Sequence, residues 1–215
     1  MKRAIRPRAL PPPLRERIRE TTMQAILAAA EEVLADKGLH AAHMSEIAGR
    51  AGVAVGTLYN HFADREALLS GLMVARRAEL LARVDAALAE TAGRPFREAL
   101  RAFLTAKLTH FQEHRKFFHI LLQGEVGRYQ ETFPSACRMP SATMKELFQR
   151  VDKLMKRGLR EGALRPEAAE LAPVLFMGML RALAIRDVLI DAPAPTDLVG
   201  QADLALSFFL EGVGA

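Results

Sequence analysis

Residues 51–69 read AGVAVGTLYNHFADREALL and place a glycine turn, a short helix and the start of a longer helix close together. Gly52 can adopt a positive φ angle, which lets the chain turn sharply between two helices. Leu58 and Phe62 stand one helical turn apart and predict the inward face of the short helix. Asp64 is a residue type that favours a helix N-cap. Two short helices around a tight glycine turn, followed by a longer helix, predict a helix-turn-helix module.

The rest of the chain predicts an all-α fold. Ala, Leu, Arg and Glu dominate the sequence, and this composition favours helix. The segment before the turn carries Ile26, Val33 and Leu34 on one helical face and reaches a stop signal at Gly38. We expect a basic flexible arm over residues 1–20, an N-terminal three-helix DNA-binding domain over 21–70, and a C-terminal helical domain for ligand binding and dimerisation over 71–215.

The net charge of +5 is concentrated at the N-terminus. Residues 1–20 contain seven basic and two acidic side chains, whereas the remaining chain contains 23 of each. Pro7 and Pro11 to Pro13 predict an extended, mobile arm, and its charge suits a polyanion such as DNA. A solvated tail without a partner explains the same residues equally well.

Several features predict a cytoplasmic protein that neither crosses a membrane nor leaves the cell. Cys137 is the single cysteine of the chain, which rules out an internal disulfide and fits a reducing compartment. Residues 1–20 contain no apolar run of the kind that forms a signal-peptide core. Arg181 interrupts the longest apolar run, at residues 171–185.

The short helix after the turn has an outer face suited to the DNA major groove. Small residues at Ala54, Gly56 and Thr57 allow close approach to base edges, and the methyl or hydroxyl of Thr57 can read them. Larger side chains follow on the flanks, where we expect contacts to phosphates. They are Tyr59, Asn60, His61 and Arg65.

Two segments, ILAAAEEVLADKG and IAGRAGVAVGTLYNHFADREALL, in this order and spacing resemble the DNA-binding domain of the TetR family of bacterial transcriptional repressors. The resemblance covers roughly residues 22–72. It implies an all-helical homodimer with a variable C-terminal ligand-binding domain. It also implies that Thr57 and Tyr59 contact DNA and that Arg65 occupies the phosphate-contacting lysine position of the family.

The chain departs from the family pattern at two positions. His43 stands where a Ser or Thr usually opens the second helix, and Ala54 stands where a Ser usually caps the recognition helix. A lost cap costs about 1 kcal/mol. The complete set of predicted DNA contacts is Thr22, His43, Ser45, Ala54, Val55, Gly56, Thr57, Tyr59, Asn60, His61 and Arg65.

The predicted module is itself not basic. Residues 21–76 contain four basic and six acidic side chains. We therefore expect the N-terminal arm to supply electrostatic affinity that the module lacks.

The larger domain opens with a long amphipathic helix, PFREALRAFLTAKLTHFQEH. Lys107 lies one turn from both Phe103 and Phe111, so a charge interrupts an aromatic stripe. Adaptable Met side chains with one or two buried charges suit a pocket for a small, largely apolar effector that carries an acidic group. We assign that charge to Lys107 and Arg181. The candidate ligand-binding residues are Phe103, Lys107, His110, Phe111, Phe118, Leu122, Met144, Phe148, Met177 and Arg181.

Ordinary core packing is the alternative interpretation of the same residues. Met and Phe at helical spacing are more often core than pocket, and Lys107 can extend its ammonium group to the surface.

The last two helices, expected at about 167–190 and 196–212, predict a homodimer. LAPVLFMGMLRALAI is apolar nearly all round, and such a helix must be buried on two sides. One side can face the domain core and the other a second subunit, with Gly178 permitting close helix approach. Burial of the helix wholly inside one subunit is the alternative.

The sequence predicts neither an enzyme nor a cofactor or metal site. It contains no Gly-rich phosphate loop and no G-x-S-x-G elbow. His110 and His114 share a helix face at a spacing that can chelate metal, but no Glu-x-x-His or cysteine accompanies them. We therefore predict a ligand-responsive transcriptional regulator, a repressor released from a double-stranded, palindromic operator by its effector. The alternatives are a helical protein-interaction module that does not bind DNA and an activator of the same architecture.

Overall fold

The computed structural model describes residues 13–118, 141–189 and 196–214. The chain divides into two compact units at Leu68 and Leu69. Regular structure in these three ranges is helical, and an isolated bridge joins Leu164 to Gly214. The prediction of an all-α protein is therefore confirmed. None of the helices in these ranges combines the length and apolar character that a membrane span requires.

Three helices build the first unit: α1 (Leu14–Ala41), α2 (Met44–Arg50) and α3 (Val55–His61). Gly38 interrupts α1 with a φ of 79°, at the position where the sequence predicts a stop. Helix α2 packs against both α1 and α3. Apolar side chains from all three helices form the buried core of the unit, namely Ile26, Leu27, Ala30, Val33, Leu34, Ile47, Ala48 and Leu58.

The first helix begins earlier than the sequence predicts. Residues 14–20 belong to α1, so the expectation of an extended arm is wrong for this part of the chain. Leu14 and Ile18 are nevertheless exposed, as are the arginines at positions 15, 17 and 19. Residues 1–12 lie outside the described ranges.

The long fourth helix, α4 (Arg65–Glu90), begins where the sequence predicts. The backbone N–H of Ala67 donates a hydrogen bond to Oδ1 of Asp64 at 2.7 Å. Asp64 thus caps the helix and satisfies a backbone donor that has no partner within it.

Four helices dominate the second unit: α5 (Phe96–Glu113), α6 (Ser141–Arg160), α7 (Ala172–Leu189) and α8 (Ala202–Val213). Helix α5 contacts the other three, and α7 also packs against α6 and α8. The ring centroids of Phe103 and Phe176 lie 5.9 Å apart, and those of Phe176 and Phe209 lie 5.1 Å apart. This line of three buried rings joins α5, α7 and α8.

The last two helices start later than the sequence predicts. A short 3₁₀ helix, Pro166–Ala168, and a turn precede α7, and α8 begins only at Ala202. Gly162 ends α6 with a φ of 69°, at the predicted break.

Candidate nucleic-acid interface and ligand-binding residues

The turn between α2 and α3 is set by two backbone hydrogen bonds. The N–H of Val53 bonds to the carbonyl of Ala48 at 3.0 Å, and the N–H of Gly52 bonds to the carbonyl of Gly49 at 3.2 Å. This pair is a Schellman motif, which requires a left-handed residue directly after the helix. Gly52 supplies it, with a φ of 69°. The glycine turn predicted from the sequence therefore fixes where α3 begins.

The inner side of helix α3 is buried in the protein, and its outer side is exposed to solvent. Leu58 is fully buried, and Phe62 is buried just past the end of the helix. On the outer side, Val55 is 42% exposed and Tyr59 is 47% exposed. Two further residues of the outer side, Gly56 and Asn60, are exposed, whereas Thr57 and His61 are half-buried. The helix thus presents a continuous face of small and polar residues.

The two positions that depart from the expected capping pattern indeed lack a side-chain cap. Ala54 precedes α3 and His43 precedes α2, and neither side chain bonds to the helix that follows it. Both residues are exposed, as is Ser45 in the first turn of α2.

The remaining predicted DNA contacts are partly engaged within the protein. Oγ1 of Thr22 donates a hydrogen bond to the carbonyl of Ile18 at 2.8 Å, so its proton is already used. Arg65 is half-buried, and its Nε atom is buried without a hydrogen-bond partner among the described residues. An arginine in the first turn of a helix also opposes the helix dipole, which favours negative charge there.

Two basic side chains of the first unit are paired with acidic ones. Nζ of Lys37 lies 2.9 Å from Oε1 of Glu46, and a guanidinium nitrogen of Arg50 lies 3.2 Å from Oε2 of Glu32. The same nitrogen lies 3.5 Å from Oδ2 of Asp36. These pairs connect α1 with α2. They reduce the positive charge that the module can offer to a phosphate backbone.

The candidate ligand-binding residues do not all face one interior. Phe103 and Met177 are buried in the helical core. Phe148 is 38% exposed at the edge of the buried stripe of α6, and Arg181 is exposed on α7. The predicted burial of the Arg181 charge is therefore wrong. Leu122 lies outside the described ranges.

Lys107 places a charged group among apolar core residues of the second unit. It is half-buried on α5, between residues that belong to the core. Burial lowers the pKa of Lys107 to about 8, and the positive charge of Arg181 acts in the same direction. The charge of Arg181 is thus close enough to lower the pKa of Lys107, although the side chain of Arg181 is exposed.

Three of the candidates, His110, Phe111 and Phe118, form an aromatic cluster near the end of α5. The rings of Phe111 and Phe118 are stacked with centroids 5.1 Å apart, and the edge-on ring of His110 lies 5.7 Å from Phe118. Phe111 and Met144 are half-buried at the margin of the core. This cluster is the part of the predicted pocket that the structure brings together.

An acidic residue of α4 lies close to the same end of α5, a contact that the sequence did not reveal. Glu79 of α4 places Oε1 at 3.2 Å from Nε2 of His114 and at 3.6 Å from Nδ1 of His110. Burial alone would raise the pKa of Glu79, but hydrogen bonds from His114 and Arg76 hold the pKa below its usual value. No local signal links Glu79 with the two histidines, because 31 residues separate it from His110.

The fold and the exposed helix define a helix-turn-helix protein of the DNA-binding class. Residues 26–72 match the model of the bacterial regulatory proteins of the tetR family. The predicted resemblance of residues 22–72 to the TetR family is therefore confirmed for this segment of the chain.

Curated relatives match part of the chain. The transcriptional activator FasR of Mycolicibacterium smegmatis is 33% identical over 100 residues, which cover 46% of this chain and 45% of that protein. The fatty acid metabolism regulator protein of Bacillus subtilis is 37% identical over 67 residues, which cover 31% of this chain and 34% of the relative. The matched segments thus span less than half the length of these relatives.

Solved structures match most of the chain. PfmR, a TetR family transcriptional regulator of Thermus thermophilus, is 25% identical with a TM-score of 0.67, covering 86% of this chain and 97% of that one. The transcriptional regulator FadR of Bacillus subtilis, solved in complex with stearoyl-CoA, is 21% identical with a TM-score of 0.69. The match covers 88% of this chain and 98% of that one. Both share the fold of this protein.

Proposed function

We propose that this protein is a ligand-responsive transcriptional regulator that binds a palindromic operator as a homodimer. The observation that carries the proposal is the geometry of α3. Its inner side is anchored by the fully buried Leu58, while Val55 and Tyr59 project from an exposed outer side. A recognition helix needs this arrangement, because its outer face enters the major groove while its inner face is fixed by the protein.

The two ends of the α3 surface have different roles in this proposal. Ala54, Val55, Gly56 and Thr57 approach base edges, because they are small and stand at the N-terminal end of the helix. A Cβ added at Gly56 would meet no atom from another part of the described chain within 4 Å, which would allow DNA to approach closely at this residue. Tyr59, Asn60 and His61 follow toward the flanking phosphates.

A second group of predicted contacts surrounds α3. Arg65 stands at the start of α4, where a phosphate would neutralise its charge and also face the positive end of the helix dipole. His43 and Ser45 lie exposed at the start of α2. Thr22 can accept a hydrogen bond but has no free proton to donate to a phosphate oxygen.

The homodimer rests on exposed apolar faces of α7 and α8. Leu171, Val174 and Leu175 are each more than half exposed, and so are Leu204 and Phe208. Apolar patches of this kind mark interaction sites. A second copy of the chain is the occupant that we propose, since two-fold pairing presents two recognition helices to half-sites about 34 Å, one turn of DNA, apart.

The effector that we propose is an amphipathic anion of the fatty-acyl class. Lys107 supplies a charge within the helical domain, and the cluster of Phe111 and Phe118 supplies an apolar surface. FadR of Bacillus subtilis, which shares the fold, was solved with stearoyl-CoA. An acyl chain with an acidic head group combines the apolar body and negative charge that these residues suit.

Release of DNA by the effector requires a difference in affinity between two states. An effector that binds the DNA-free geometry more tightly shifts the dimer away from the operator by the ratio of its two affinities. We propose repression released in this way. Transcription in vitro from the operator-bearing promoter, with and without protein, distinguishes it from activation.

Fluorescence anisotropy on duplexes that tile the DNA upstream of the gene tests DNA binding. We expect one tile to bind tightly, with dimer stoichiometry and a steep dependence on salt. Thr57→Ala combined with Tyr59→Ala should weaken binding to that tile at least about tenfold, since one good base contact contributes about 1–3 kcal/mol. Ser70→Ala, which removes an exposed hydroxyl from α4, is the matched control.

The same experiment separates the regulator from a protein-interaction module. Equal, weak binding to all tiles and to a pool selected from random sequence would contradict the proposal. Unchanged affinity of the double variant would exclude α3 as the recognition helix. Sedimentation of the variant should give the same dimer mass as the unmodified protein.

A further inference from the structure

Three potential metal ligands converge in the second unit. Glu79 comes from α4, His110 comes from the last turn of α5, and His114 is the residue directly after that helix. One ligand atom of each side chain can be chosen so that all three lie within 4.8 Å of one another. Two imidazoles and one carboxylate form a ligand set used by zinc and related ions.

The two distances from Glu79 to the histidines are close to those that ligands of a single ion require. Oε1 of Glu79 lies 3.2 Å from Nε2 of His114 and 3.6 Å from Nδ1 of His110. Tetrahedral ligand atoms at about 2.1 Å from zinc stand about 3.4 Å from each other. Small side-chain rotations would therefore bring the three atoms into coordination without moving either helix.

His110 lacks the hydrogen bonds that a buried imidazole normally makes. It is only 1% exposed, and neither ring nitrogen has a hydrogen-bond partner among the described residues. Leaving a buried polar group unsatisfied costs about 1–3 kcal/mol. An ion at the position between the side chains would bind one of these nitrogens and remove part of that cost.

The surrounding charges orient Glu79 toward the histidines. A guanidinium nitrogen of Arg76 lies 2.7 Å from Oε2, which leaves Oε1 directed to His114 and His110. Arg83 lies 3.4 Å from Oε1 but makes its shorter contact, 2.6 Å, with Glu113. Such a hydrogen bond to the outer oxygen of a coordinating carboxylate holds the other oxygen in the orientation that binds the metal.

We propose that Glu79, His110 and His114 bind one divalent transition-metal ion, with zinc as the best-fitting ion. Three protein ligands leave one tetrahedral position for water or an anionic group. The ion would join α4 to α5 at this point. The site does not depend on DNA binding, so the two proposals can fail independently.

Direct titration of the full-length protein with Zn²⁺ against a chromophoric chelator tests the site. We expect one tightly bound ion per chain. Glu79→Gln and His114→Gln keep the size of the side chain and should each weaken binding by more than about tenfold, since even second-shell losses cost about 10–100-fold. His43→Gln, which removes an exposed histidine of the first unit, is the matched control.

Visible absorption of the Co²⁺-substituted protein provides a test that needs no variant. Ligand-field bands of a four- or five-coordinate ion, displaced by stoichiometric Zn²⁺, would support the site. Absence of a stoichiometric ion would overturn the proposal. Equal affinity of Glu79→Gln, His114→Gln and the unmodified protein would overturn it as well, since the ion would then lie elsewhere.

Discussion

The carboxylate of Asp64 accepts a hydrogen bond from the backbone N–H of Ala67, with 2.7 Å between Oδ1 and the nitrogen. This contact fixes the first turn of α4 shortly after the end of α3. Asp64→Ala removes the cap, and we expect it to lower the free energy of unfolding by about 1 kcal/mol. Urea denaturation followed by circular dichroism measures the change.

Asn is the matched replacement for Asp64, because its side-chain oxygen can accept the same hydrogen bond. Asp64→Asn should therefore retain most of the stability that Asp64→Ala loses. Equal losses in both variants would mean that the charge near the helix N-terminus, rather than the hydrogen bond, stabilises α4.

The basic N-terminal residues should determine how DNA binding responds to salt. Residues 1–12 contain four basic and no acidic side chains. In the first unit, Lys37 and Arg50 are paired with carboxylates. Deleting residues 1–12 from both chains of the proposed dimer removes eight basic residues and should reduce the slope of log affinity against log salt by up to about seven. Fluorescence anisotropy on the operator across a salt series measures the slope.

A full-length variant with glutamine in place of all four basic residues is the control for that deletion. It should reproduce the smaller slope, since charge rather than length is responsible. An unchanged slope in either protein would show that the arm remains a solvated tail when the operator is bound.

Local signals made the first unit predictable from the sequence. The left-handed Gly52 and the capping Asp64 each act over a few residues, so their effect can be inferred without knowledge of the fold. The buried side of α3 follows from the spacing of Leu58 and Phe62 for the same reason. The extent of α1 was missed because residues 14–20 have few apolar positions and follow three prolines.

The second unit was less predictable because its contacts depend on how separate helices are rotated. Helix α6 turns Leu147, Val151 and Leu154 to the core, which leaves Phe148 at the edge and partly exposed. Glu79 meets His110 only through the packing of α4 beside α5. Neither the partial exposure of Phe148 nor the contact between Glu79 and His110 can be inferred from the sequence of a single helix.

Lys107 should reduce the stability of the effector-free protein. Its pKa falls from 10.5 to about 8 on folding, mainly because of burial and further because of Arg181, the charged group acting on it among the described residues. The folded state thus disfavours the charged amine. This cost is fully present below pH 8 and disappears as the pH rises from about 8 to 10.5.

Lys107→Met removes the charge while keeping a long, flexible side chain. At pH 7 we expect the variant to be more stable by about 1–3 kcal/mol, after allowance for the partial exposure of the lysine. The difference from the unmodified protein should shrink toward pH 10.5. Urea denaturation at several pH values measures both effects. A difference that does not change with pH would contradict the assigned cause.

The same variant should bind an anionic effector less well. Loss of a charge-assisted hydrogen bond costs about 1.5–3 kcal/mol, so the concentration of stearoyl-CoA that releases the operator should rise about tenfold or more. Lys153→Met, an exposed lysine of α6, is the matched control. Unchanged release by Lys107→Met would place the acidic group of the effector elsewhere.

Gly178 offers a test of the dimer that separates the interface from the folding of one chain. A Cβ added to this residue would meet no atom from another part of the described chain within 4 Å, although α7 has buried residues on its other side. Leucine at this position should therefore be tolerated by the single chain, and it is also a better helix former than glycine. If the exposed face of α7 packs closely against a second copy, Gly178→Leu should dissociate the dimer and weaken operator binding. Sedimentation equilibrium measures the mass, and Ala89→Leu, which adds leucine at an exposed position of α4, should leave the dimer intact. A dimer of unchanged affinity in Gly178→Leu would exclude close packing at this face.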